Sequence, residues 1–216
     1  VPSAIFALWG AQMAGCVFPI NYLLGADHIA ALLRKTRTKV VITLASHSGL
    51  NINTEVKRAV ELADCVQHIL EIDSDERNPA EGSFQQLFEN QSSSDIFQHE
   101  IKSNTTAALF HTGGTTGLPK ILRHDHRNEV HTSWFGAAFY DMHPGDRVIN
   151  GFPLFHVAGT FVCGLASLVA GAGLYLPTLT GWRNRDFLNN AWELMRSNKI
   201  THISCVPTIL SALLNE

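Results

Sequence analysis

The sequence predicts an α/β fold in which mostly parallel sheet is flanked by helices. Short runs rich in β-branched residues alternate with segments whose apolar residues recur at helical spacing. At 216 residues and 45% hydrophobic, the chain has enough apolar side chain for a core of domain size. From Val148 to Trp182 no Asp, Glu, Lys or Arg occurs, as expected of elements covered on both faces in a parallel sheet.

Apolar residues from Ala4 to Ala14 predict a helix, and Cys16-Val-Phe-Pro-Ile20 reads as a short strand. Asp27 to Arg34 reads as a second helix. Lys39-Val-Val-Ile-Thr-Leu44 predicts a buried strand, Thr54 to Ala63 returns to helical spacing, and His68-Ile-Leu-Glu-Ile72 closes a βαβ unit over residues 1–72. Residues 73–104 are polar, with Ser92-Ser-Ser94 and clustered acids, and predict an exposed connection holding one short helix near Phe84, Leu87 and Phe88. The α/β pattern resumes over residues 105–216. It begins with a strand from Thr106 to Phe110, a glycine-rich loop, a strand from Ile121 to His124 and a helix from His126 to Tyr140. A strand from Arg147 to Asn150, a helix from Thr160 to Val169 and a strand from Leu174 to Leu176 follow. The pattern ends with an amphipathic helix from Phe187 to Arg196, a strand from Thr201 to Cys205 and a helix from Pro207 to Leu214, whose proline sits at a favourable early position.

The net charge of −3 supplies no positive field for a polyanion, so nucleic acid is not an expected partner. Cys16, Cys65, Cys163 and Cys205 lie too far apart for a zinc ribbon or a CxxC redox pair and read as small buried hydrophobes in a reducing cytosol. No basic segment followed by an apolar run and a cleavage site opens the chain, and a cytoplasmic location is expected. The uncharged stretch from Val148 to Trp182 is long enough to raise the question of a membrane span. Pro153, His156, Pro177 and the glycines at 159, 164, 171 and 173 break it, and no span is expected.

The most informative stretch is His111-Thr-Gly-Gly-Thr-Thr-Gly-Leu-Pro-Lys120, directly after the apolar strand. Its glycines let backbone N–H groups approach a bulky anion, while the threonine hydroxyls and one lysine add donors. Composition alone fits either a ligand-free hairpin turn or a phosphate cradle. The order of residues excludes a Walker A loop, because Pro119 precedes Lys120 and Ile121 follows it where Gly-Lys-Ser/Thr is required.

Thr-Gly-Gly-Thr-Thr-Gly-Leu-Pro-Lys closely resembles the phosphate loop of the adenylate-forming (AMP-binding) superfamily, which includes acyl-CoA synthetases, firefly luciferase and the adenylation domains of peptide synthetases. His126-Arg-Asn128 follows the loop as in many members. Phe152-Pro-Leu-Phe-His-Val-Ala-Gly159 resembles the next family motif, and Ile200-Thr-His-Ile-Ser-Cys-Val-Pro-Thr208 the strand and helix start after it. Upstream, Trp9-Gly-Ala-Gln-Met-Ala-Gly-Cys-Val-Phe-Pro-Ile-Asn21 resembles the helix and strand of the family's early Ala-Gly-aliphatic-Pro run. Many members have Ser where Gly113 stands and Gly where Ile121 stands. Losing that hydroxyl removes one donor, but the backbone N–H survives. The family's later motifs are an aromatic-Gly-x-Thr-Glu segment, an acidic residue for the ribose and the lysine of a small C-terminal domain. They have no counterpart here, so the resemblance implies a partial N-terminal domain over residues 1–216, with the remainder of its own chain as a partner.

The acyl-CoA synthetase, or fatty-acid–CoA ligase, branch fits best. The resemblance implies that a carboxylic acid attacks the α-phosphate of ATP, with Mg2+, to give an acyl-adenylate, and that coenzyme A then displaces AMP. Thr112, Gly113, Gly114, Thr115, Thr116, Gly117 and Lys120 would hold the β- and γ-phosphates. Lys120 and Thr115 would act in catalysis, with Thr115 or Thr116 near the metal. His156, set in an apolar stretch, is expected neutral and hydrogen-bonded, since an ionised imidazole is expensive to bury. By residue chemistry it is a core histidine or a pocket group; the resemblance implies the acyl pocket. His124, His126 and His131 mix strand and helix spacings and are not assigned as metal ligands, and Arg123 and Arg127 read as solvated charges. An adenylation domain loading a carrier-protein thiol and a non-catalytic nucleotide-binding module derived from the fold are the alternatives.

Overall fold

The computed structural model describes residues 2–47, 49–75, 77–91, 100–112 and 119–215, and the chain divides into two compact units. One comprises Val1–Ile101 with His111–Leu122, the other Lys102–Phe110 with Arg123–Glu216.

The first unit begins with α1 (Pro2–Ala14), started by a proline that loses no helical hydrogen bond at that position. In α2 (Ala26–Thr36), Ala26, Ile29, Ala30 and Leu33 fall at the spacing of one helix face and are buried. Asp27 lies in its first turn, and Arg34 and Lys35 in its last, complementing the helix dipole. That face packs on Ala59 and Ala63 of α3 (Ile52–Ala63), with Val41, Val56 and Val60 alongside. β1 (Val40–Leu44) and β2 (His68–Ile72) pair in parallel, Val40 opposite His68 and Leu44 opposite Ile72, with α3 as the crossover. In the polar connection, α4 (Phe84–Glu89) is capped by the Ser83 hydroxyl, which accepts the Gln86 N–H. Ser92-Ser-Ser94 lies outside the described residues.

Asn53 joins these elements: its Nδ2 donates to the Leu44 carbonyl at 3.0 Å and to Glu71 Oε1 at 2.8 Å, and Lys57 Nζ lies 2.7 Å from the same carboxylate oxygen. The Asn53 hydrogen bond, then Lys57, hold the Glu71 carboxyl below its ordinary value. A depressed folded value means that the ionised pair stabilises fully above the unfolded glutamate value and loses this contribution as pH falls through the folded one. Urea midpoints measured from neutral pH into the acid range are therefore expected to fall with acidification, and Glu71→Gln should flatten that fall. The effect is small, because both side chains are substantially exposed.

β3 (Thr106–His111) and β4 (Ile121–Asp125) pair in a two-stranded sheet. The Thr112 N–H donates to the Lys120 carbonyl at one end, and the His126 N–H to the Thr105 carbonyl at the other, which makes the pair an antiparallel hairpin. α5 (His126–Phe139) follows β4 at once through a capping box: Asp125 accepts the Asn128 N–H, and the Asn128 side chain accepts the Asp125 N–H. Its buried residues are small or polar (Glu129, Ser133, Ala137), whereas Val130, Trp134, Phe135 and Phe139 are exposed. The small face permits close packing, and a Cβ on Gly136 would lie 3.6 Å from Ala166 Cβ.

The second unit is built on a parallel sheet in the order β6 (Gly173–Tyr175), β5 (Arg147–Ile149), β7 (His202–Ile203). α6 (Ala166–Val169) precedes β6, while α7 (Arg185–Asn189) and α8 (Ala191–Ser197) precede β7. α9 (Pro207–Leu214) carries its proline at the first helical position. Ile149, Trp182, Phe187, Ala191, Met195 and Leu213 form one core cluster of this unit, and Val148, Cys163 and Ala172 another. Among the described residues no helix is long and apolar enough to cross a membrane.

Several expected elements differ. Cys16–Ile20 forms no strand beyond an isolated bridge at Val17, since Pro19 has no N–H for a ladder. The helix expected from Thr160 to Val169 is wound as a π-helix over Ala158–Leu165 before α6 continues it. Side-chain hydrogen bonds to its carbonyls, from Asn150 to Gly159 and from Ser167 to Cys163, accompany that wider winding. The helix expected from Phe187 to Arg196 breaks at Asn190, whose φ of −116° is non-helical and whose Nδ2 donates to the Asp186 carbonyl. Cys16 is exposed rather than buried; burial pushes the Cys163 thiol up to about 11, leaving it protonated at neutral pH.

Candidate functional site

The first unit holds the two ends of the glycine-rich loop. The Thr112 N–H donates to the Lys120 carbonyl at 2.9 Å, and the Lys120 N–H donates to Thr112 Oγ1 at 3.3 Å. Entry and exit of the loop are thereby clipped together by one main-chain bond and the Thr112 hydroxyl. Pro119 is buried and Lys120 exposed, so the proline anchors the exit while the lysine ammonium stays in water, available to an anion. Gly113, Gly114, Thr115, Thr116 and Gly117 lie outside the described residues.

Immediately before the neck, His111 Nε2 accepts the Asn21 N–H at 3.0 Å, and the ring meets the edge of Phe18, with centroids 6.0 Å apart. Burial lowers the affinity of this imidazole for a second proton, partly opposed by a hydrogen bond with the Thr112 backbone. A neutral ring accepting at Nε2 carries its proton on Nδ1. His111 thus ties the start of the loop to the segment after α1. Sequence reasoning passed over it, although its place between an apolar strand and the first threonine of the loop was the available signal.

The second unit holds the Phe152–Gly159 turn. His156 is exposed, which corrects the expectation of an apolar burial site. The chain reverses at this residue, so the apolar letters around it do not enclose it: its N–H donates to the Pro153 carbonyl, and its own carbonyl accepts from Gly159 and Thr160. Its Nδ1 accepts the Ala158 N–H at 3.1 Å, an arrangement that leaves Nε2 directed to other partners. In the neutral ring Nε2 then bears the proton and offers a donor. Gly159 is required here, because a Cβ would fall inside contact distance of the Pro153 carbonyl oxygen and 2.9 Å from that of Phe152. Gly159→Ala is expected to destabilise the protein by about 1–3 kcal/mol, the usual penalty of overpacking, read as a lower urea midpoint.

His124 lies between Phe110 and Phe161, with centroids 5.2 Å and 5.6 Å away, and burial lowers its proton affinity. Its surroundings are aromatic. His126 is half-buried and His131 exposed; among the described residues no group of three His, Cys, Asp or Glu side chains is placed to hold a metal ion. Arg123 is exposed, as is Arg127, which lies 3.3 Å from Asp125.

With this geometry in place, residues 1–216 match the family described as AMP-binding enzyme. The chain belongs to that family. The Thr-Gly-Gly-Thr-Thr-Gly-Leu-Pro-Lys stretch falls between β3 and β4 of this family member. A marinolic acid–CoA ligase of a Pseudoalteromonas species is 30% identical over 224 residues, an alignment covering 100% of this chain and 34% of that protein. A crotonobetaine/carnitine–CoA ligase of Escherichia fergusonii is 23% identical, over 99% of this chain and 40% of that protein. The crystal structure of ATP-bound MatB from Rhodopseudomonas palustris superposes with a TM-score of 0.79 at 21% identity, covering 100% of this chain and 39% of that one. That likeness shows the fold, part of the N-terminal domain of adenylate-forming enzymes. The chain spans between a third and two fifths of the length of these three proteins.

Proposed function

We propose that the protein containing this chain is an ATP-dependent acid–thiol ligase that activates a carboxylic acid as its acyl-adenylate and transfers the acyl group to coenzyme A. One observation carries the reading: a Thr-Gly-Gly-Thr-Thr-Gly-Leu-Pro-Lys loop, its ends clipped by Thr112 and Lys120, in a chain that matches the AMP-binding family throughout. The carboxylate oxygen attacks the α-phosphorus, the bond to the bridging oxygen breaks, and pyrophosphate leaves with the electron pair. Negative charge grows on the leaving group, and preorganised donors stabilise it. Lys120 supplies a full positive charge there. Thr112, Gly113, Gly114, Thr115, Thr116 and Gly117 are assigned to the β- and γ-phosphates, and His156 to the acid. Mg2+ bound with the nucleotide would supply further charge neutralisation, for which the hydroxyl of Thr115 or Thr116 is a suitable oxygen ligand. We assign the activity to the cytoplasm, and residues 1–72, 73–104 and 105–216 to a βαβ unit, a polar connection, and the phosphate loop with a second α/β unit, all of one partial N-terminal domain.

Acid-dependent exchange of labelled pyrophosphate into ATP by the full-length protein tests this reading, and thioester formation should follow when coenzyme A is added. No exchange with any of a panel of aliphatic and aryl acids would overturn it. The polypeptide 1–216 alone is expected to give no exchange, because the family's adenine, ribose and C-terminal lysine motifs are absent from it. Exchange by that polypeptide would move the required groups into these residues.

A further inference from the structure

Thr160 and Asn150 are buried polar side chains that the proposed chemistry leaves unused. Thr160 is fully buried and Asn150 is 3% exposed. Both spend their hydrogen bonds on one short piece of backbone. Thr160 Oγ1 donates to the Leu154 carbonyl at 2.6 Å, bridging the turn beneath His156. Asn150 Nδ2 donates to the Gly159 carbonyl at 2.8 Å, and Asn150 Oδ1 accepts the Phe152 N–H at 3.2 Å. The strand end at Asn150 is thus stapled to both ends of the Phe152–Gly159 turn, with His156 held between. His156 has its own ring fixed by the Ala158 N–H, so its orientation follows the backbone of this turn.

We propose that Thr160 and Asn150 are positioning residues that set acid selectivity by fixing the backbone which aims the His156 imidazole. The proposal rests on the assignment of His156 to the acid. Buried polar groups of this kind are costly unless satisfied. Here every polar atom of the two side chains has a partner, and the partners cluster at the base of one exposed ring. Neither side chain reaches the surface, so any influence on the acid passes through His156. Fixing a recognition group in this way acts on rate through orientation, and a misplacement of roughly 1 Å can cost up to about a hundredfold.

The test compares Thr160→Val, which keeps the shape and removes the hydroxyl, with Thr160→Ser, which restores it, and with His156→Ala, all in the full-length protein. Adenylation is measured against three acids of different size, with the melting temperature recorded for each variant. Thr160→Val is expected to shift the ratio of kcat/KM between the smallest and largest acid by about tenfold, in the direction of His156→Ala, while KM for ATP stays near wild type. Thr160→Ser should return the wild-type ratios. If the valine variant is insoluble, Thr160→Ala removes the hydroxyl without bulk and is read in the same way. Wild-type acid ratios in the hydroxyl-less variant, beside shifted ratios in His156→Ala, would overturn the positioning role alone. Equal losses for all three acids in His156→Ala would instead overturn the assignment of His156, and the present proposal with it.

Discussion

Replacing Lys120 by alanine in the full-length protein should slow acyl-adenylate formation by about 10- to 150-fold, for every acid offered. That range is a charge-assisted hydrogen bond of roughly 1.5–3 kcal/mol converted to a rate. The structure makes this a clean experiment. Lys120 contributes to the loop neck only through its backbone, accepting from the Thr112 N–H and donating to Thr112 Oγ1, and both contacts survive the substitution. Its side chain is exposed, and thermal stability should be unchanged. The loss belongs to the first half-reaction, where charge develops on departing pyrophosphate, so thioester formation from a supplied acyl-adenylate should proceed at the wild-type rate. A uniform loss in both half-reactions would instead point to a role beyond the phosphates.

The elements that sequence reasoning identified are those in which one residue pattern has one structural solution. Ala26, Ile29, Ala30 and Leu33 bury a single helix face, and the β-branched run at Val40–Leu44 pairs in parallel with His68–Ile72. Where two solutions share a pattern, the sequence was silent. In α5 the large apolar residues point outward and the small ones pack inward, so the sequence located the helix without saying which face makes contact. Across Ala158–Leu165 every residue is apolar or small apart from Thr160, which is compatible with α or π winding; hydrogen bonds from distant side chains accompany the π form. The site divides along the same line. The order of residues from Thr112 to Lys120 made the family legible, because its sequence of glycines and donors is a distinctive one; the phosphate role of these residues is what we propose. The network of Asn150 and Thr160 was not, because a lone Asn or Thr in an apolar stretch carries no sign of which carbonyl it will meet.

His156→Ala should have a different signature from the lysine variant: the penalty on adenylation varies with the acid, while KM for ATP moves little. The reasoning begins from its placement. The ring is exposed and accepts the Ala158 N–H at Nδ1, so it is not a packing residue, and truncation opens no core cavity. On the proposed assignment, what the variant loses is one donor at Nε2 and the volume of an imidazole beside the acid. A larger acid can fill that volume, whereas a small acid loses its contact. Small acids should therefore suffer most, by about 10- to 100-fold in kcat/KM, the range expected for one hydrogen bond plus mispositioning. Lys120→Ala, measured against the same three acids, should lower all of them together. Two variants with two distinct patterns would separate the acid side of the chemistry from the phosphate side. Equal losses for all acids in His156→Ala, accompanied by weaker ATP binding, would remove this histidine from the acid and place its role with the nucleotide.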